Sequence, residues 1–164
     1  MPAAIRTGIL TVSDKGSRGE REDRSGPAIR EILETAGYDI VRAAIVADDG
    51  EAIRETLIAW ADEGLDLVVT TGGTGFSPRD WTPEATGAVL DRETPGISEA
   101  IRAAGMRKTP SAMLSRAVSG IRKSTLIINL PGSETSVRES LAAVIDVLPH
   151  GIEILRGTAR DCAR

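Results

Sequence analysis

"LDLVVTTGGTGFSPRDWTPEAT", residues 65–86, sets an apolar run, a cluster of small residues, a carboxylate and a helix start in immediate succession. Leu65–Thr71 is short and nearly continuous in Leu and Val, as expected of a strand covered on both faces. Thr82, Pro83 and Glu84 then predict a helix that Thr82 caps and that runs through "TPEATGAVLDRE", Thr82 to Glu93. Strand, glycine-rich turn and helix make the unit of an α/β sheet. In such sheets the turn lies where ligands bind, outside the carboxyl ends of the strands.

The same alternation extends outward in both directions. "IRTGILTVS" (Ile5 to Ser13) reads as a first strand, followed by the polar connection "DKGSRGEREDRSG". Ala28, Ile29, Ile32, Leu33 and Ala36 fall at helical spacing before Gly37, and "YDIVRAAIV" (Tyr38 to Val46) reads as a second strand. "ADD" (Ala47 to Asp49) leads into a helix with Ile53, Thr56, Leu57 and Trp60 on one face, ended by Gly64. Pro95 and Gly96 precede another helical segment to about Gly105. "RAVSGI" and "TLIINL" flank the polar "RKS" and predict a hairpin. Ser133 can cap a last long helix carrying Val137, Leu141, Val144, Ile145 and Leu148. The expected fold is α/β: a three-layer α/β/α sandwich with a mostly parallel central sheet plus a small β-hairpin. No repeat or low-complexity linker divides the chain, so residues 1–164 are expected to form a single domain.

Composition narrows the function classes. A chain of 164 residues buries roughly 70% of its unfolded surface, enough for one core. Aromatics are 2% of residues, so that core must be aliphatic. The net charge of -4, without a basic stripe, argues against nucleic acid as a partner. Cys162 has no cysteine to pair with, which excludes an internal disulfide, and His150 alone cannot build a histidine-rich metal cluster. "MPAAIRTGILTVSD" lacks the pattern of a signal peptide, and no apolar run approaches ~18 residues. The expectation is a cytoplasmic protein with no membrane contact.

Three loops have the composition of an anion site: "TTGGTG" (Thr70 to Gly75), "NLPGS" (Asn129 to Ser133) and "SDKGS" (Ser13 to Ser17, with Asp14). Glycines let a backbone approach a phosphate closely and align N–H groups, and threonine hydroxyls add donors. The same glycines also serve close packing, and composition leaves both readings open. "SGIRKST" is not a Walker A loop, because Arg122 stands where glycine is required, and Lys123 reads as a solvated turn residue. "GGTGFS" likewise fails the dinucleotide pattern G-x-G-x-x-G. Asp48 and Asp80 lie beside the glycine turns, and paired acids near phosphate commonly hold Mg²⁺. Asp49, and less readily Asp48, could instead cap the following helix. Arg79 could pair with phosphate or with Asp80, and Trp81 could line a pocket. His150 and Cys162 read as incidental.

"TVSDKGS", "VADD", "TTGGTGFSPRDWTPEAT" and "AMLSRAVSGIRKSTLIINLPGS", in this order, resemble the molybdopterin-binding family of molybdenum cofactor biosynthesis, which includes the MogA adenylyltransferases and the MoaB proteins. The likeness runs from about Ile5 to Leu148. It implies a three-layer fold, a trimer with hexamer as the alternative, and a reaction in which molybdopterin and ATP give adenylyl-molybdopterin and pyrophosphate with Mg²⁺. A downstream protein would then insert molybdate or tungstate. The resemblance carries the two catalytic, metal-holding carboxylates to Asp48 and Asp80, although Ala47 stands where the family commonly has proline. It carries nucleotide and substrate binding to Ser13, Asp14, Thr71, Gly72, Gly73, Thr74 and Gly75. Ser115 matches a serine of the pterin site, and Asn129, Pro131, Gly132 and Ser133 match a second binding loop. A MoaB-type binder or scaffold without adenylyl transfer is the alternative.

Overall fold

Alternation along the strands sorts the core into two layers. The computed structural model describes residues 2–159; Cys162 lies outside them. Its strands are β1 (Arg6–Val12), β2 (Asp39–Val46), β3 (Leu67–Thr71), β4 (Arg92–Glu93), β5 (Ser119–Arg122) and β6 (Thr125–Leu130). They form a six-stranded sheet in the order β2-β1-β3-β6-β5-β4. The four strands from β2 to β6 run parallel, β5 is antiparallel to β6, and β4 is antiparallel to β5. The helices are α1 (Asp14–Ser17), α2 (Ser25–Thr35), α3 (Gly50–Asp62), α4 (Thr82–Val89), α5 (Pro95–Met106), α6 (Glu134–Val144) and α7 (Leu148–Leu155), with a 3₁₀ turn at Pro110–Leu114.

Ile9, Leu67, Val69 and Ile128 face one layer, where they meet Ile29 and Leu33 of α2, Ile101 of α5, Leu141 of α6 and Ile152 of α7. The intervening residues Leu10, Val68 and Ile127 face the other, against Ile53, Leu57 and Trp60 of α3 and Val89 of α4. A continuous apolar strand therefore serves both helical layers, as its composition requires. Gly8 is needed in β1 because a β-carbon there would fall 2.6 Å from the Trp60 ring. The expected three-layer sandwich and hairpin are both present, and Lys123, at φ 52, sits in the tight turn of that hairpin.

Four local expectations need correction. The helix starting at Thr82 stops at Val89, and Arg92–Glu93 pairs with β5 as a short strand, because Asp91 N–H donates to Ile121 O at 2.8 Å and turns the chain into the sheet. Thr82 is the first helical residue, not the cap; Trp81 holds the cap position without a side-chain capping bond. The last long helix is two helices: Pro149 lies in the first turn of α7, where its missing N–H is harmless, whereas in mid-helix it would break the ladder. The connection after β1 contains α1, capped by Ser13, whose Oγ accepts from Gly16 N–H at 2.9 Å.

Asp66, just before β3, ties the end of the chain to its beginning. Its carboxylate accepts from Arg156 Nε and Nη2 at 2.8 and 2.7 Å and from Arg6 N–H at 2.8 Å. Burial pushes the Asp66 carboxyl up, but the Arg156 hydrogen bonds and the Arg6 N–H outweigh it and hold the group below its ordinary value. A depressed carboxylate stabilises the fold above its unfolded pKa and loses that contribution as pH falls through the folded one. Asp66→Asn is therefore expected to cost ~1–3 kcal/mol in urea unfolding at neutral pH, with the difference from wild type shrinking as the solution is acidified below the ordinary carboxylate range.

Candidate active site

After β1 the chain adds β2 on one side and then β3 on the other, so the loops leaving β1 and β3 separate at a switch point of the sheet. β6, the next neighbour of β3, brings its own loop to the same edge. Short contacts hold these loops together. Gly72 N–H donates to Leu130 O at 3.2 Å, Thr71 Oγ1 to Pro131 O at 2.7 Å, and Ser25 Oγ to Gly132 O at 2.5 Å. Gly72 and Gly73 have φ of 96 and 67, in the left-handed region. A β-carbon would lie 2.3 Å from Val12 O at Gly72 and 2.3 Å from Thr82 Oγ1 at Gly73. The N–H of Gly72 is thus engaged, while those of Gly73, Thr74 and Gly75 donate to no group among the described residues.

The structure separates the roles of Asp48 and Asp49. Asp49 caps α3, accepting from Glu51 N–H at 3.2 Å. Asp48 turns toward the first loop instead: its Oδ2 accepts from Asp14 N–H at 2.9 Å, and Asp14 Oδ1 accepts from Asp48 N–H at 3.0 Å. Arg79 pairs not with Asp80 but with Asp14, donating from Nε and Nη2 at 2.9 Å each. Asp80 Oδ2 accepts from Ser77 N–H at 3.1 Å. Asp48 Oδ1 lies 3.1 Å from where a β-carbon of Gly73 would sit, and Asp80 Oδ2 lies 3.0 Å from that of Gly75. Both carboxylates therefore stand over the same glycine turn.

The surroundings of Asp48 oppose its charge. Burial pushes the Asp48 carboxyl up, and the charges of Asp14 and Asp80 add to it against the opposing Asp14 N–H and Arg79. The Arg79 hydrogen bonds hold Asp14 below its ordinary range. Among the described residues no group of three or more His, Cys, Asp or Glu is set to hold a metal ion. Two carboxylates crowded by like charge beside free N–H groups fit Mg²⁺, which takes one or two carboxylates and completes its shell with phosphate oxygens and water.

Two clefts open from this edge. The first, of about 790 Å³, is lined by Ser13, Asp48, Thr71, Gly72 and Ser133, with Arg21 at its rim. The second, of about 510 Å³, is lined by Thr74, Gly75, Arg102, Ser115 and Pro131. Gly73, Asp80 and Gly132 line both. Ser133 also caps α6, accepting from Ser136 N–H at 3.1 Å. Asn129 lines neither cleft: it is fully buried, its Oδ1 accepts from Val118 N–H, and its Nδ2 donates to Thr70 and Thr86 hydroxyls at 2.9 and 3.0 Å. Trp81 is 53% exposed and borders a shallow recess with Phe76 and Arg116. Sequence reasoning gave no role to Arg102 or to Arg116, although Arg116 adjoins Ser115 inside a motif that carries the resemblance, because their contacts in the site are with residues distant in the chain or with backbone carbonyls.

The profile of a family described as "Probable molybdopterin binding domain" matches residues 8–150. This chain belongs to the molybdopterin-binding family. It is 44% identical to the molybdopterin adenylyltransferase of Helicobacter pylori strain J99 over 156 residues, 93% of this chain and 89% of that protein. It is 42% identical to the molybdopterin adenylyltransferase of Escherichia coli K12, over 90% of this chain and 80% of that protein. The crystal structure of the molybdopterin biosynthesis enzyme MoaB from Thermus thermophilus is similar at 55% identity and a TM-score of 0.89, covering 93% of this chain and 97% of that one. In this molybdopterin-binding domain the matched span takes in every loop of the two clefts.

A raised carboxyl is favoured in its neutral form, so ionised Asp48 opposes folding at pH 7 and ceases to do so as pH falls through its folded pKa. An asparagine keeps an acceptor for Asp14 N–H. Asp48→Asn without metal is therefore expected to melt roughly 1–3 °C above wild type at pH 7, the gap closing on acidification. Melting below wild type at pH 7 would contradict this account.

Proposed function

We propose that this protein transfers the adenylyl group of ATP to molybdopterin, releasing pyrophosphate. The observation that carries the reading is the meeting of two clefts at Gly73, Asp80 and Gly132, beside a carboxylate crowded by like charge. The adenylyltransferases to which the chain is similar support it.

In this reading ATP occupies the cleft with Asp48 and the pterin the cleft with Ser115. A terminal phosphate oxygen of the pterin forms a bond to the α-phosphorus as the bond from that phosphorus to the β-phosphate breaks, and the electron pair leaves with pyrophosphate. Both partners are anions, so positioning and charge stabilisation supply most of the rate. The free N–H groups of Gly73, Thr74 and Gly75 orient phosphate oxygens, as glycine-rich turns after strands do. Ser13 and Thr71 wall the nucleotide cleft, and Ser115, Pro131 and Gly132 wall the pterin cleft. Asp14 orients Asp48 through their paired hydrogen bonds. Mg²⁺, held by Asp48 and Asp80 with the phosphates, would neutralise charge on the transferring group and on the leaving pyrophosphate.

A MoaB-type binding protein without turnover is the second reading, favoured by the likeness to the Thermus MoaB. Purified protein, freshly released molybdopterin, ATP and Mg²⁺ separate the two. Wild type is expected to form adenylyl-molybdopterin, and Asp48→Asn and Asp80→Asn to lose ~10²-fold or more of the rate while staying folded. Pterin bound without product would make this a binding protein, and full activity in both variants would refute the metal assignment.

The reading extends to one domain acting as a homotrimer, with hexamer as the alternative, in the cytoplasm, handing its product to a molybdenum insertion protein. Among the described residues no helix is long and apolar enough to cross a membrane. Exposed Ile45, Val147 and Ile154 are apolar surface that an assembly could bury. Sedimentation at micromolar concentration is expected to give the trimer mass, and a stable monomer would overturn that assembly.

A further inference from the structure

The segment that carries Asp80 has no regular structure of its own between Gly75 and Asp80. Its internal bonds, Asp80 N–H to Ser77 O at 2.9 Å and Ser77 N–H to Asp80 Oδ2 at 3.1 Å, shape a turn but do not fix it to the body of the protein. Arg116 does. Its Nε donates to Gly75 O at 2.7 Å and its Nη2 to Asp80 O at 2.8 Å, so one guanidinium spans both ends of the loop, while Nη1 pairs with Glu84 of α4.

Arg116 is itself held. Its backbone N–H donates to Thr74 O at 2.8 Å, and Arg102 of α5 donates to the carbonyls on either side of it, Ser115 O at 3.2 Å and Ala117 O at 2.8 Å. The other cationic tether of the loop, Arg79 to Asp14, is the weaker one: the Arg79 side chain is 63% exposed against 33% for Arg116, so water screens it more. Three separate nitrogens of the planar fork meet two carbonyls and a carboxylate at once, whereas a lysine ammonium presents its three donors from a single nitrogen and lacks that spread.

We propose that Arg116 is a positioning residue that fixes Asp80 for the metal-bearing nucleotide by clamping the two ends of its loop. The inference rests on the reading that Asp80 holds Mg²⁺ with ATP. Partners that orient a metal carboxylate typically contribute 10–100-fold in metal affinity, and their effect appears only where the metal is engaged.

The test is the binding of a fluorescent ATP analogue, followed by anisotropy with Mg²⁺ and with EDTA, in wild type, Asp80→Asn, Arg116→Lys and Arg116→Ala. Wild type is expected to bind more tightly with Mg²⁺, and Asp80→Asn to lose that tightening. Arg116→Lys is expected to lose ~10-fold of it while binding in EDTA and the melting temperature stay near wild type. Millimolar guanidinium is expected to restore part of it in Arg116→Ala, a rescue that also serves if the lysine variant folds poorly. Full Mg²⁺-dependent tightening in Arg116→Lys beside its loss in Asp80→Asn would overturn the positioning role and leave the metal reading intact. Equal weakening with and without Mg²⁺, or no rescue by guanidinium, would make Arg116 a structural residue only. Undiminished tightening in Asp80→Asn would overturn the metal reading itself, and the positioning role with it.

Discussion

The carbonyl oxygen of Val12 leaves no room for a β-carbon at residue 72, and the rest of the site is built on that close approach. It brings the ends of β1 and β3 together at the switch point, and the Gly72 N–H, donated to Leu130 O, brings in the end of β6. Once the chain has turned through the left-handed conformations of Gly72 and Gly73, Gly73 O accepts from Thr82 N–H at 3.1 Å at the start of α4. The N–H groups of residues 73–75, which line the two clefts, donate to no group among the described residues. The shape of the glycine turn thus follows from one steric constraint and the parallel sheet that imposes it.

Charge is arranged against the fold's own interest at this edge. Asp14, Asp48 and Asp80 converge, and the arginine that reaches them, Arg79, is committed to Asp14. Asp14 gains from that pairing, whereas Asp48 is left partly buried beside like charge. Local destabilisation of this kind is common where a protein must bind a cation and its anionic substrate, since the ligand relieves what the free protein bears. At the opposite end of the sheet Asp66 is matched by Arg156 and the Arg6 N–H, and there the charge stabilises the fold.

The layers and most elements were legible because burial leaves periodic marks: the continuous strand Leu67–Thr71, the stripe Ile53, Leu57 and Trp60, and the stop at Gly64. The loops of the site were legible for the same reason, since glycine turns follow strands and helices begin with caps such as Ser133. Features set by distant contacts were not. A two-residue strand such as β4 has no period to read, and its place depends on β5. The side chain that Arg79 pairs with is Asp14, far away in sequence, whereas the residues around Arg79 suggested only phosphate or the neighbouring Asp80. Asn129 has the residue type of a ligand contact, but hydroxyls on β3 and α4 take up its amide.

The central claim is that the glycine turn and its two carboxylates form a single site for metal and nucleotide. The most direct measurement is a crystal structure with α,β-methylene ATP and Mg²⁺. The account predicts phosphate oxygens on the N–H groups of Gly73 to Gly75 and a metal about 2.0–2.1 Å from oxygens of Asp48 and Asp80. A nucleotide bound away from the turn, or a metal that touches neither aspartate, would contradict it.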